Sequence, residues 1–288
     1  MYIVGRLDNS CNKDIQIRRL KDAFQKDSLD FLFLGNSHSF NGVIPDSVCP
    51  GKKVFNLGMP AASIFTLELI FEQIKATKMR VGAIIINLGP EMFADGADDF
   101  ARYPYHRYFP NPYSNEHLFF KGLISRSEYL TLTFKSFKSG LRRGILQNCF
   151  LGDAAQHKNG YIPRDGFGTD SVYLNQGYIY QKFMSCSFNS DKANRLLSLI
   201  DEMSKSGIKV AIHEMPDFKL RNYFSKDFLQ DLDSFFSDLG EIVPTFRLRN
   251  SVSSPIHFAD SDHLNHSGAV IYSKVLRDSL FLHETVNQ

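Results

Sequence analysis

Short runs of apolar residues alternate along this chain with longer stretches in which apolar residues recur every three or four positions. Continuous apolar runs are typical of parallel strands that are covered on both faces of a sheet. The predicted strands are Phe31–Leu34, Val54–Phe55, Val81–Leu88, Ile208–His213 and, with a weaker pattern, Ile242–Phe246.

The stretches between these runs have the spacing of amphipathic helices. The predicted helices are Ser63–Thr77, Asp191–Ser206, Lys226–Leu239 and about Ser267–Leu282. We expect Asp191 to cap the second helix and Gly207 to end it, because Asp accepts first-turn N–H groups and Gly tolerates the left-handed conformation. Alternating strands and helices predict an α/β fold, with a mostly parallel sheet of about five strands between two helical layers.

The alternation stops between residues 94 and 190. This segment contains the aromatic, Pro-containing stretch Tyr103–Pro110, a basic stretch at 116–146 that is predicted to be helical, and a loop rich in Gly and Tyr that runs to Tyr180. We interpret 94–190 as an insertion into a single domain spanning 1–288. Because it leaves the third strand at its carboxyl end, we expect it to cover that edge of the sheet.

The composition narrows the class of protein without naming a function. The chain has 288 residues, of which 43% are hydrophobic and 22% charged, so it can form a sizeable core. The formal charge of +2 gives no general attraction to nucleic acid, and we expect no nucleic-acid partner. The four cysteines are far apart and form neither a zinc pattern nor a disulfide framework.

The sequence has no apolar run long enough to act as a signal peptide or to cross a membrane. We therefore expect a cytoplasmic protein without an integral membrane segment. No resident metal or cofactor is expected, and the sequence gives no oligomeric state.

Two polar motifs, far apart in the chain, together supply the groups of a nucleophilic site. The first predicted strand runs into Gly35-Asn36-Ser37-His38-Ser39, and Asp260-Ser261-Asp262-His263 precedes the last predicted helix. A serine hydroxyl is a weak nucleophile until a base accepts its proton, and that base needs a carboxylate to orient it. Ser37, His263 and Asp260 are the candidates for these three roles.

These blocks resemble those of the SGNH (GDSL-like) hydrolase and acyltransferase superfamily. That family has a Gly-Asp-Ser block after its first strand and an Asp-x-x-His block before its last helix; here Asn36 replaces the usual Asp. The resemblance covers roughly residues 29–93 and 191–282. It implies a flavodoxin-like three-layer α/β/α sandwich, a Ser37–His263–Asp260 triad and acyl ester chemistry.

The resemblance also indicates how a developing oxyanion would be bound. The backbone N–H groups of Ser37 and Gly58 are the expected donors, with the Asn87 side chain as a further donor and Asn56 as an alternative to it. The family has a donating asparagine where this chain has Glu91. An ionised carboxylate accepts hydrogen bonds but cannot donate them.

Several side chains near these motifs have two interpretations each. Asp260, Asp262, His263 and His266 could instead bind a divalent metal. His38 could line the substrate pocket or pack against the next turn, and His213 is expected to be a core histidine. Arg142 and Arg143, in the basic stretch, either bind an anionic substrate or form a solvated helix face.

Taken together, the motifs and the family resemblance predict an esterase or O-acetyltransferase that acts on a small ester. The resemblance to family members that act on polysaccharides implies an O-acylated carbohydrate as that ester, with an anionic glycan as a further candidate. A sugar hydroxyl in place of water would make the enzyme a transferase. The alternative is a non-catalytic carbohydrate-binding or scaffold protein built on a degenerate hydrolase core, which the Glu91 substitution favours.

Overall fold

This computed structural model describes residues 16, 18–95, 159–164, 181–260 and 262–286. The chain divides into two compact units, one formed by residues 1–22 and 99–156 and the other by residues 23–98 and 157–288. The sheet and the candidate site both lie within the second unit. Most of the predicted insertion at 94–190 lies outside the described residues, so its arrangement remains a prediction.

The centre of this unit is a five-stranded sheet in which every neighbouring pair of strands is parallel. The strands are β1 (Ser28–Leu34), β2 (Val54–Asn56), β3 (Arg80–Asn87), β4 (Lys209–Glu214) and β5 (Thr245–Arg247). Their order across the sheet is β2-β1-β3-β4-β5. The predicted α/β class with a parallel five-stranded sheet is confirmed, and this order is that of flavodoxin-like folds.

Helices follow the strands along the chain and pack in two groups. They are α1 (Ser37–Gly42), α2 (Pro45–Val48), α3 (Ile64–Thr77), α4 (Ser190–Lys205), α5 (Lys226–Gly240) and α6 (His266–Val286). Helix α6 contacts α1 and α2, whereas α4 contacts α3 and strand β4. Because the connections between parallel strands must cross over the sheet, this alternation of strand and helix produces helical layers.

The strand register explains why the apolar runs are continuous. Phe33, Ile85 and Ala211 are paired across β1, β3 and β4 and belong to the cluster that also contains Tyr272 and Leu276 of α6. The next row, Leu34, Ile86 and Ile212, is fully buried and faces the other side, since side chains alternate along a strand. Both faces of the central strands are therefore covered, as the sequence predicted.

Most boundaries lie within three residues of the prediction, and two of the differences have a clear cause in the hydrogen bonds. The fifth strand begins at Thr245 rather than Ile242, because the N–H groups of Ile242 and Val243 still donate to Leu239 O at the end of α5. Helix α4 is capped by Asn189, whose side chain accepts from the Lys192 N–H, and Asp191 lies in the first turn instead. Among the described residues, no helix is long and apolar enough to cross a membrane.

Candidate active site

Ser37 lies at the carboxyl end of β1, where the strand order reverses between β1 and β3. Gly35 leaves the strand with a φ of 142°, and a Cβ at this position would lie 2.8 Å from Asn87 Cβ on the neighbouring strand. Asn36 then caps α1, its Oδ1 accepting from the His38 N–H at 2.9 Å. Ser37 is consequently the first residue of α1, at the position where open α/β sheets bind their ligands.

The second motif forms a tight turn in front of α6. Asp260 Oδ1 accepts from the backbone N–H groups of Asp262 at 3.1 Å and His263 at 2.8 Å. Phe258 and Leu264 form an antiparallel bridge on either side of the turn. Asn265 Oδ1 accepts from the Gly268 N–H at 3.0 Å and so caps α6. These bonds hold the Asp260 and His263 side chains in place before any ligand binds.

Ser37, His263 and Asp260 lie in one hydrogen-bonded row. Ser37 Oγ lies 2.8 Å from His263 Nε2. The other ring nitrogen, Nδ1, lies 2.9 Å from Asp260 Oδ1 and 3.2 Å from Asp260 Oδ2. The arrangement gives a hydroxyl, an imidazole and a carboxylate in the order that proton transfer from the hydroxyl requires.

A second carboxylate also reaches His263. Asp262 Oδ1 lies 2.9 Å from His263 Nδ1, and Asp262 Oδ2 lies 3.1 Å from His38 Nε2. The two imidazole rings have their centroids 4.8 Å apart. The sequence pattern indicated Asp262 only as a possible metal ligand and gave it no part in the serine site. The sequence did contain a signal for this contact, because each motif has one titratable side chain beyond the three candidates, His38 in the first motif and Asp262 in the second.

One described part of the predicted insertion, residues 159–164, contacts the site directly. Arg164 Nη2 lies 2.5 Å from Asp260 Oδ2, and the Arg164 carbonyl accepts from the His266 N–H at 3.0 Å. Tyr161 Oη lies 2.8 Å from His266 Nδ1. Nothing in the sequence singled out Arg164, because a lone arginine in a loop has no local pattern that reveals its partner.

The charges around His263 change its proton affinity. Burial disfavours the charged ring, but the Asp262 charge and the hydrogen bonds to Asp260 and Asp262 outweigh burial and raise the pKa of His263 to about 9. Burial opposes ionisation of Asp262 as well, yet the His263 and His38 charges hold its pKa well below the usual range. At neutral pH the free site therefore holds His263 as an imidazolium beside the Asp262 carboxylate.

His38 and Glu91 lie next to the His263–Asp262 pair. Burial lowers the pKa of His38, but its hydrogen bond to Asp262 and the charge of Glu91 raise it more, so the pKa is raised overall. His38 Nδ1 lies 3.7 Å from Glu91 Oε1, which also accepts from Asn36 Nδ2. Burial raises the pKa of Glu91. The predicted role of His38 in binding substrate remains a prediction; the structure gives it Asp262 as a partner.

Two of the expected oxyanion donors donate to other side chains. The Gly58 N–H donates to Asn56 Oδ1 at 2.9 Å, and Asn87 Nδ2 donates to Asn36 Oδ1 at 3.1 Å. Among the described residues, none accepts a hydrogen bond from the Ser37 N–H, which lies in the first helical turn. Ser37 is thus the expected donor best placed to bind an oxyanion in this structure.

The Asn56 side chain forms hydrogen bonds that join two segments of the fold. It is fully buried, and its Nδ2 donates to the carbonyls of Ser39 at 2.7 Å and Val43 at 2.8 Å, which ties the end of α1 to β2.

His213 is also fully buried, and its Nδ1 lies 2.6 Å from Tyr272 Oη, in agreement with a core histidine. Arg142 and Arg143 lie outside the described residues, so their predicted contact with substrate remains a prediction.

A metal ion would find a different set of ligands from the one expected. Within the described residues, His38, Asp262 and His263 have donor atoms within 4.8 Å of one another and could hold an ion. Asp260 and His266 do not belong to that set, and His266 bonds Tyr161 instead. Hydrogen bonding within the set already accounts for the closeness of these side chains.

Comparison with known proteins gives structural likenesses only. No family model matches the chain, and no curated protein matches it in sequence. A GDSL-like lipase from Bacteroides thetaiotaomicron is 11% identical with a TM-score of 0.44, over 90% of each chain. A provisionally named acylhydrolase from Bacteroides fragilis is 10% identical with a TM-score of 0.44, over 89% of this chain and 88% of that one.

A provisionally named platelet activating factor protein from Streptococcus pneumoniae is 10% identical with a TM-score of 0.45, over 98% of each chain. Likenesses of this degree establish neither the family nor the activity of the present chain.

Proposed function

We propose that this chain is a serine-dependent hydrolase of acyl esters. The observation that carries the proposal is the contact of 2.8 Å between Ser37 Oγ and His263 Nε2, with a carboxylate on the opposite ring nitrogen. A hydroxyl 2.8 Å from an imidazole nitrogen is within reach for direct proton transfer. The position of Ser37 at the carboxyl end of β1, where a substrate can approach, is a second support.

The reaction proceeds in two halves. Ser37 Oγ attacks the acyl carbonyl carbon while its proton moves to Nε2 of a neutral His263, and the Ser37 N–H donates to the resulting oxyanion. The tetrahedral intermediate collapses, His263 returns the proton to the leaving alkoxide, and an acyl-serine remains. His263 then takes a proton from the acceptor, which attacks the acyl-serine, and finally returns that proton to Ser37 Oγ.

Asp260 supports this cycle by fixing the ring of His263. Its Oδ1 holds Nδ1, so that Nε2 faces Ser37. The carboxylate also stabilises the imidazolium that forms when the serine proton is transferred. The turn that positions Asp260 is closed by backbone hydrogen bonds, so the ring orientation is built in before substrate arrives.

The proposed ester is an O-acylated carbohydrate, and a sugar hydroxyl in place of water would give an O-acyltransferase. This finer proposal is supported by the family resemblance and by the Tyr-rich and basic composition of residues 94–190. Aromatic side chains can stack on sugar rings, and the positive charges of Lys and Arg attract an anionic glycan. Cytoplasmic location is part of the same proposal.

A non-catalytic carbohydrate-binding protein is the second candidate. The observation that favours it is the set of oxyanion donors: the Gly58 N–H and the Asn87 amide donate to other side chains, and Glu91 replaces a donating asparagine. Loss of one oxyanion donor in another serine hydrolase lowers turnover roughly 10²–10³-fold.

A fluorophosphonate probe followed by peptide mapping distinguishes the two candidates. Such a probe reacts with a serine only when a base activates it, so the hydrolase proposal expects a single label on the peptide that contains Ser37. The Ser37→Ala variant should give no label, and Ser47→Ala, a substitution in α2, should label like wild type. Absence of label in folded wild-type protein, at alkaline pH where His263 is neutral, would favour the binding protein.

A further inference from the structure

The Asp262 carboxylate connects two imidazoles that come from opposite ends of the chain. Its two oxygens are used separately, with Oδ1 at 2.9 Å from His263 Nδ1 and Oδ2 at 3.1 Å from His38 Nε2. The residue is 4% exposed. A buried carboxylate is unfavourable unless charged or hydrogen-bonding groups surround it, and here the two rings supply that surrounding.

Asp260, the other carboxylate on His263, is committed to several partners. Its Oδ1 accepts two backbone N–H groups, and its Oδ2 lies 2.5 Å from Arg164 Nη2. The guanidinium, whose side chain is 37% exposed, offsets part of the negative charge that Asp260 exerts on His263. Asp260 therefore fixes the ring, and its negative charge acts on both His263 and Arg164.

Asp262 lies between the two imidazole rings and contacts both of them. Within the described ranges, the titratable groups that face His263 are Asp260 and Asp262 from its own turn and His38 from α1. Arg164 acts on it through Asp260, and Glu91 acts through His38. When His263 accepts the serine proton, the Asp262 carboxylate, with Oδ1 2.9 Å from Nδ1, lies close enough to stabilise the resulting charge.

We propose that Asp262 is a second orienting carboxylate for His263 and that His38 is the positioning residue that holds Asp262 in place. The inference rests on the proposed function, in which His263 is the base. It adds two residues to the machinery of the reaction: Asp262 stabilises the imidazolium, and His38 fixes the far oxygen of Asp262 so that the near oxygen stays on Nδ1.

The first test compares Asp262→Asn with wild type in the pH dependence of kcat/KM on p-nitrophenyl acetate. An amide in place of the carboxylate removes the charge with little change in size. We expect the rise of activity with pH to have its midpoint about one pH unit lower or more, and the plateau to fall roughly 10-fold or more. Asp278→Asn, an exposed carboxylate on α6, is the matched control and should leave the profile unchanged.

The second test uses His38 variants to separate positioning from substrate binding. His38→Ala removes the donor to Asp262 Oδ2 and should lower kcat with KM unchanged, whereas His38→Gln, which keeps an N–H donor, should recover much of the loss. A rise in KM alone would overturn the role given to His38. If Asp262→Asn does not fold, this pair of variants decides the proposal.

The third test measures the protonation of His263 in a protein that does not turn over substrate. In Ser37→Ala protein, the ring resonance of His263, assigned by its loss in His263→Gln, should titrate at lower pH when Asp262→Asn is added. An unchanged titration, or activity lowered equally at every pH, would overturn the role of Asp262. If Ser37→Ala itself keeps wild-type turnover, the proposed function fails, while the titration still reports on the contact between Asp262 and His263.

Discussion

Ser37 Oγ and His263 Nε2 lie 2.8 Å apart although 226 positions separate the two residues in the sequence. Each residue lies beside a helix terminus: Ser37 begins α1, and His263 precedes α6. The two helices pack against each other on one side of the sheet, with Tyr272 and Leu276 of α6 in the same apolar cluster as Phe33 of β1. The geometry of the polar pair is thus set by an apolar interface.

Removing either member of this pair should abolish most of the activity. Ser37→Ala and His263→Ala are each expected to lower kcat/KM on p-nitrophenyl acetate by roughly 10³-fold or more, and the double variant should lose little beyond either single one, because the residues act as a unit. Ser47→Ala serves as the control. Turnover that survives Ser37→Ala, or that disappears with EDTA and returns with a metal ion, would point to a different chemistry.

The pH dependence of wild-type activity should reflect the raised pKa of His263. The base must be neutral to accept the serine proton, and its pKa in the free protein is about 9. Activity at low substrate concentration should therefore increase from pH 7 and level off only above about pH 9, in a kcat/KM profile corrected for spontaneous hydrolysis. A maximum near pH 6 with a decline above it would contradict His263 as the base.

Replacement of Arg164 should move the same profile in the opposite direction from Asp262→Asn. Arg164→Gln removes the cation beside Asp260, so the full carboxylate charge then favours the protonated form of His263, and the midpoint should move to higher pH. Because 37% of the Arg164 side chain is exposed, we expect the change to be small, less than about one pH unit, and to shrink in high salt. Arg164→Lys, which keeps the charge, should resemble wild type.

Gly58→Ala should destabilise the fold irrespective of any catalytic role. A Cβ at residue 58 would lie 2.7 Å from Phe40 N and 2.9 Å from Ser39 Cβ, so α1 or β2 would have to shift. Overpacking of this kind costs about 1–3 kcal/mol in the free energy of unfolding, measurable by urea denaturation. Gly240→Ala at the end of α5, where the nearest atom would be 4.0 Å away, is the control and should be neutral or slightly stabilising. Equal stability of the two variants would contradict the predicted clash.

His213 should make the protein acid-sensitive. Burial lowers the pKa of this fully buried ring to about 3, below the ordinary value of 6.5 that applies in the unfolded chain. Its contribution to stability is therefore complete above about pH 6.5 and is lost as the pH falls toward 3, with a slope of about 1.4 kcal/mol per pH unit. His213→Gln, which does not titrate, should show a shallower decline between pH 6 and pH 4 in urea unfolding. Parallel curves for the two proteins would show that other groups cause the acid loss.

The sequence by itself determined the sheet, most helices and the two polar motifs. Apolar runs such as Phe31–Leu34 must be buried on both faces, and helices such as α3 and α5 combine helical spacing with a serine at the cap position, Ser63 and Ser225. These signals are local, so they can be read within a window of a few residues. The alternation of strands and helices then predicted the fold class, and the end of the first strand predicted the position of the first motif.

Only the tertiary structure decided which side chains meet. Asp260 and Asp262 flank the same turn and both reach Nδ1 of His263, and the distinction between them comes from Arg164 on one and His38 on the other. The sequence predicted that the Gly58 N–H binds an oxyanion, whereas in the folded protein this N–H donates to Asn56 Oδ1. Such partners lie on separate segments that the packing of α6 against α1 and the approach of residues 159–164 bring together. No local pattern encodes these contacts, because their energy depends on distances through space rather than along the chain.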